Sequence, residues 1–282
     1  MMGSPFSVGL FVASLGASAL GGTMGMASGI FIVPLLTAAF HIDIHAAIAA
    51  SIVLVIACSC AGAAPFLKNG FTNIRVAIVL EIATTLGAFS GVVLGGLVPE
   101  QVLYLLFALI LILSVQQMTI RRRPAVSQNI ETDDLASRLG LHASYKDGSQ
   151  VIPYRVQHVP LGMAFMYGAG LISALLGIGS GVLKIPAMDV ALRLPLKISS
   201  ATSNFMIGVT AAASGVAYCI RGDIDPTIAS PIALGSVLGA LLGARALAIM
   251  PVEKIRLLFI AVLSLLALQM TLKGIGFLGG NQ

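Results

Sequence analysis

The sequence predicts an all-α polytopic membrane protein: a helical bundle of two inverted repeats, each with three spanning helices and one broken, re-entrant, glycine-rich segment. Three observations lead there. The 282 residues are 57% hydrophobic and 10% charged, with a mean hydropathy of +1.00, whereas soluble domains carry roughly 25% charged residues. The apolar residues fall into long runs, two of them too long for one crossing. The chain also matches itself at a constant offset of 152 residues. So much apolar surface cannot be hidden from water in a chain of this size, so lipid is its main solvent.

The apolar runs lie at about 6–40, 46–67, 76–98, 101–120, 159–192, 198–220, 226–250 and 255–273. Most have the ~20 residues that one spanning helix needs. The runs 6–40 and 159–192 differ. As single helices they would reach roughly 50 Å, against a hydrocarbon core of ~30 Å. Each contains one of two matching stretches, "GMASGIFIVP" at 25–34 and "GIGSGVLKIP" at 177–186. Glycine accepts backbone angles that other residues resist, and proline cannot continue a helix ladder, so a break is expected here.

The repeat is exact in offset. Gly25 meets Gly177, Gly29 meets Gly181 and Pro34 meets Pro186. Ser51 meets Ser203, Gly70 meets Gly222, Gly87 meets Gly239, Pro99 meets Pro251, and "QMT" at 117–119 meets "QMT" at 269–271. Shared apolar composition alone would not fix Gly and Pro in register, so the chain is a duplication, as in many transporters. Residues 1–120 read as the first transmembrane repeat, 121–158 as a linker and 159–282 as the second repeat.

Charge sets the orientation. Lys68, Arg75 and Arg121–Arg123 mark two ends in the first half; Arg193, Lys197, Lys254 and Arg256 mark the non-equivalent ends in the second. Because Lys and Arg favour the cytoplasm, equivalent loops fall on opposite sides and the repeats are inverted. Inversion needs an odd number of crossings per half, which three spans plus one segment that enters and leaves on the same side supply. No Lys or Arg precedes Lys68, which argues against a signal peptide and for an outward N-terminus. The expectation is a multi-pass protein of a bacterial inner membrane, with both termini periplasmic and the linker cytoplasmic. In the linker, "TDDLASRLG" reads as a short helix capped by Thr132 or Asp133 and stopped by Gly140; Asp-Gly in "SYKDGSQVIPYRV" reads as a hairpin.

Broken backbone at membrane depth is tolerated where it lines a cavity or is buried in protein. The half-helix that follows offers free N–H groups and the positive end of its dipole, which attract anions. Two inverted breaks aimed at one midplane point would make an anion site from Gly25, Ser28 and Gly29 with Gly177, Ser180 and Gly181. The competing explanation is close packing of small residues.

These residues resemble the sulfite exporter TauE/SafE family of bacterial membrane proteins. The resemblance spans nearly the whole chain and rests on the two glycine-rich stretches, on "AAIAASIVL" and "ISSATSNFM", and on Gly70 and Gly222. The family usually shows three consecutive glycines; here Ser28 and Ser180 interrupt the run. The resemblance implies export of small sulfur-containing anions such as sulfite or organosulfonates.

Further candidates come from polar groups in apolar runs. Lys184 lies three residues after Gly181 and matches Ile32; a buried cation in a membrane is expensive and usually functional. Thr202, Ser203 and Asn204, with Ser51, could bind a sulfonate through neutral hydrogen bonds. Glu81 could relay protons or pair with a base, and Arg245 could bind an oxyanion or sit at the interface. The reading is therefore a secondary transporter working by alternating access, coupled to an ion such as a proton or sodium. An anion channel, or a carrier of another small organic anion, is the alternative. A homo-oligomer is left open. No metal, cofactor or nucleic-acid partner is expected. "HIDIH" at 41–45 suits a helix start better than a zinc site, and the basic residues suit membrane orientation. No enzyme is expected: Ser28 and Ser180 are not in a Gly-x-Ser-x-Gly elbow, no span places a His near them, and no ATP-binding loop appears.

Overall fold

The structure is a computed structural model that describes residues 5–24, 28–68, 70–119, 133–147, 150–249 and 252–276. The first half holds α1 (Pro5–Met24), α2 (Gly29–Ala39), α3 (Ile44–Lys68), α4 (Ile74–Gly95) and α5 (Glu100–Thr119). Between the halves lie α6 (Asp134–Arg138), β1 (Ala143–Asp147) and β2 (Gln150–Tyr154). The second half holds α7 (Val159–Leu176), α8 (Gly181–Val190), α9 (Leu196–Arg221), α10 (Pro226–Ile249) and α11 (Val252–Gly274). Among the described residues, α3, α4, α5, α7, α9 and α10 contain stretches long and apolar enough to cross a membrane.

Both over-long runs divide into two helices, and in each the second arm folds back along the first. Phe40, closing α2, meets Phe6 at the start of α1 edge to face, with ring centroids 5.9 Å apart. Deeper in, Ser18 donates to Ser28 at 3.2 Å. In the second half the Gln157 amide, just ahead of α7, donates to the Leu192 carbonyl beyond α8 at 3.3 Å. The chain therefore enters and leaves each hairpin at the same end. The break also falls late, leaving a long first arm and a short second one; α7 alone has the 18 residues of a span. The prolines do not make the break. Pro34 and Pro186 sit inside α2 and α8, and the turn at the second break comes from Gly177 and Gly179, at φ of 65° and 69°. Left-handed backbone is open to glycine at little steric cost.

The 152-residue offset reappears atom by atom. A Cβ on Gly87 would strike the Tyr167 carbonyl, and one on Gly239 would strike the Leu15 carbonyl. Gly91 stands in the same way against Leu171, and Gly243 against Ala19. The missing side chains let α4 lie directly on α7, and α10 on α1, the close approach that small residues permit between helices in lipid. Each half thus packs its fourth helix on the other half's first arm. Gly70 and Gly222 end equivalent helices in left-handed turns, and His41 and Arg193, also partners by the offset, are both left-handed. The equivalent helices α3 and α9 run antiparallel. Ile52 packs on Gly215, Ser59 on Gly208 and Gly62 on Asn204.

The linker elements close one end of the bundle. Asp133 caps α6 by accepting from the Leu135 amide and also accepts from the Val159 amide at 2.8 Å. The two strands pair antiparallel, Ala143 opposite Tyr154. Asn73, at the start of α4, donates to the Leu141 carbonyl and the Tyr154 hydroxyl. Ala136, Leu141, Tyr154 and Val156 are buried against residues of α4, α7, α8 and α9. At the opposite end, Lys273 of α11 donates to the Thr37 carbonyl at 2.6 Å, so the start of α1 and the end of α11 share one face.

Candidate functional site

The two hairpin tips touch. A Cβ on Gly29, at the start of α2, would overlap the Gly177 carbonyl and crowd Val55 and Ile178. Ser51 of α3 donates to that carbonyl at 2.8 Å, satisfying an acceptor that the end of α7 leaves open. Ser180 precedes α8 and makes no side-chain cap. Its hydroxyl is buried with no hydrogen-bond partner among the described residues, and the Ser203 hydroxyl is in the same state. Unsatisfied buried hydroxyls are uncommon, and each asks for an explanation.

Lys184 does not stand free beside the tips. It is wholly buried in the first turn of α8. Its ammonium donates to Thr210 of α9 at 2.5 Å and pairs with Glu81 of α4 at 3.4 Å. The Thr210 hydroxyl also lies against the other oxygen of Glu81, which Thr85 approaches at 3.5 Å. The cluster ties one half to the other. On the far side of Glu81 an apolar groove of about 530 Å³ runs between α4 and α9, walled by Ile78, Ile82, Leu86, Phe205 and Val209 among others.

The other candidates are scattered. Thr202 accepts from the Asn73 amide at 3.1 Å, toward the linker end. Asn204 packs beside Gly62. Ser28 and Gly29 are buried at the first tip, where Cys58 lies within hydrogen-bonding reach of Ser28. Gly25 lies outside the described residues, as does the side chain of Arg245. In "HIDIH", Asp43 accepts from the amides of His45 and Ala46 and so opens α3.

Sequence reasoning missed two features. Thr210 bridges the ion pair; a hydroxyl deep in the apolar stretch of α9 was the available signal. The second is a cavity of about 370 Å³ at the face bearing the start of α1 and the end of α11, lined by Asp43, His45, Leu175, Tyr218, Arg221 and Asp223 among others. Arg221 is held there by Asp223 at 3.0 Å and by the Val92 carbonyl. Tyr218 donates to the Ala174 carbonyl at 3.0 Å. Leu175, two residues before Gly177, forms part of the wall, so this vestibule ends next to the second tip.

Outside the membrane, the Val159 and Leu135 amides hold the Asp133 carboxyl below the usual range. Burial pushes the Tyr154 hydroxyl up, against the donation it receives from Asn73.

The chain is similar to proteins described as membrane transporters. The probable membrane transporter protein YdhB of Bacillus subtilis (strain 168) is 25% identical over 246 residues, 87% of this chain and 89% of the relative. YunE of the same organism, described in the same words, is 24% identical over 274 residues, 94% and 97% of the two chains. A probable membrane transporter protein of Xylella fastidiosa (strain 9a5c) is 28% identical over 223 residues, 79% and 77%. No solved structure matches the chain. The family profile described as sulfite exporter TauE/SafE matches residues 10–270. With that match over nearly its whole length, two helical hairpins and helices apolar enough to span a bilayer, the chain belongs to the sulfite exporter TauE/SafE family of membrane transporters.

Proposed function

We propose that this transporter is a secondary carrier that exports small sulfur-containing anions, such as sulfite or organosulfonates. The anion binds where the two hairpin tips meet. The observation that carries this reading is the buried, unpartnered Ser180 hydroxyl at the N-terminus of α8, set against the touching backbone of Gly29 and Gly177. The free amides of a first turn and its dipole suit an oxyanion. Ser203 supplies a second uncommitted donor, and Lys184 the positive charge. Tips packed this tightly leave no room for a sulfonate, so binding requires one half to shift against the other, which is the motion alternating access needs.

The halves are inverted across a bacterial inner membrane. The antiparallel course of α3 and α9 supports this, as does the placing of Lys68, Arg75, Arg138, Arg155, Arg193 and Lys197 at the linker end, the cytoplasmic side by charge bias. The opposite face carries Asp43, Glu100, Asp223 and Asp225 beside Arg221 and Lys273, and is periplasmic.

Thermal unfolding of the purified protein in detergent tests the reading, with sulfite, thiosulfate, sulfoacetate, taurine, sulfate and chloride as the panel. A ligand that binds only the folded state stabilises by about 2.7 kcal/mol at 100 times its Kd. Selective stabilisation by a sulfur oxyanion, lost in Ser180→Val, is the expected result; stabilisation by none of the panel overturns the substrate class. Counterflow in liposomes separates a carrier from a channel.

A further inference from the structure

We propose that Glu81 is the binding site of a coupling proton: the transported anion takes its place beside Lys184, and the displaced carboxylate picks up one proton. This rests on the anion site described above. Lys184 is fully buried. A lysine buried in a membrane keeps its charge only beside a counter-charge. With no anion bound, Glu81 provides it from the other half of the chain, 3.4 Å away. An arriving anion competes for the same ammonium. Were both anions to stay charged, one cation would face at least two negative charges away from water, and like charges in one site do not both remain ionised.

Among the described residues, Glu81 has no second cation beside it. Lys184 from α8 is the charged group that faces it; Thr210 from α9 and Thr85 from its own helix contribute hydroxyls. The phenols on the elements packed against α4 are engaged elsewhere: Tyr167 of α7 with Ser90, Tyr218 of α9 with the Ala174 carbonyl, and Tyr154 of the linker with Asn73. The remaining side is the apolar groove between α4 and α9. A carboxylate released from Lys184 therefore faces aliphatic and aromatic carbon, where the charged form is costly and the protonated form is not. One carboxylate and two hydroxyls are also a sparse set for sodium, so the proton is the coupling ion. It comes from the side to which the site is open. It returns to water on the other side, when the anion leaves and Glu81 again pairs with Lys184. One anion and one proton cross together.

The experiment uses the full chain in detergent micelles with thiosulfate and methanesulfonate, both of which stay fully ionised between pH 5 and 9. Calorimetry in weak buffer with a pH indicator reads anion binding and proton uptake together. The expected result is one proton taken up per anion bound, with affinity weakening tenfold per pH unit above the carboxylate's titration, since linkage is reciprocal. Glu81→Gln removes the competitor, so it should bind the anion more tightly, take up no proton and lose the pH dependence. If that variant does not fold, the proton count of the parent protein decides. Binding without proton uptake, or binding that requires sodium, overturns the proposal and leaves the anion site standing. Binding of neither probe at any pH overturns both.

Discussion

Counted at the repeat offset, the first half carries Ile32 and Cys58 where the second carries Lys184 and Thr210, and Ala233 stands where the first half has Glu81. The scaffold around these positions is the same in both halves: hairpin folded back on itself, glycine-lined helix crossing, left-handed turn after the short arm. The charged cluster occurs once. Symmetry in this molecule therefore belongs to the backbone, which must work equally well in two orientations. The charged side chain belongs to one tip, where Lys184 of the second half reaches Glu81 of the first.

Removing the charge from one tip gives the largest expected effect. Lys184→Ala strands a buried carboxylate, and breaking one partner of a buried pair costs about 3–5 kcal/mol. The neutral double variant Lys184→Met/Glu81→Gln should recover most of that stability while losing transport. Thermal unfolding in detergent and uptake in liposomes read the two effects. If the single variant is as stable as the parent, the pair does not hold the halves together and the contrast between the tips loses its energetic basis.

Next come the symmetric crossings. Gly87→Ala and Gly239→Ala each push a methyl group into a carbonyl of the facing helix, and overpacking of this kind costs about 1–3 kcal/mol. The two should lose nearly equal stability. A large inequality would show that the scaffold is not as symmetric as its contacts.

Smaller still is the difference between the two repeat-related serines. Ser51→Ala removes the donor to the Gly177 carbonyl, worth about 0.6–1 kcal/mol. Ser203→Ala removes a hydroxyl with no partner among the described residues. It should leave stability unchanged and reduce the stabilisation given by the best anion of the panel.

The smallest effect lies in the linker, which has no counterpart. The depressed carboxyl of Asp133 gives a contribution that is fully present above the ordinary aspartate range. It is lost as pH falls through the lower folded value. The protection of the Val159 amide against hydrogen exchange, relative to its intrinsic rate, should fall on that descent and be low at every pH in Asp133→Ala.

Much of this architecture could be read from the chain itself because it is written in residue types that act locally. The length of 6–40 and 159–192 ruled out single helices, and glycine spacing marked where they break. Asp133, Gly140 and Asp-Gly announced the helix and hairpin of the linker. The role of the prolines was misjudged. Pro186 costs α8 one backbone hydrogen bond near its start, while the turn itself is made by glycines whose positive φ no spacing rule reports. The site was legible only in outline. Lys184 stood out as a cation in an apolar run, but its partner is 103 residues away on a helix that the offset pairs with an alanine. Periodicity carries no information about such a contact. The vestibule escaped for the same reason: Asp43, Leu175 and Arg221 meet only when helices from both halves are assembled.

The exchange of helices between the halves has a consequence for how the molecule is made. α4 rests on α7, and α10 rests on α1. When the ribosome has finished only residues 1–120, neither α1 nor α4 has its partner, and the bare glycine stripes of Gly87 and Gly91 face lipid. The early segment has to wait in the membrane as loosely held spans until the later one arrives. The partners then arrive in turn, α7 for α4 first and α10 for α1 only later. For the same reason a single ancestral half could have stood only as a pair of identical chains, each lending its first arm to the other.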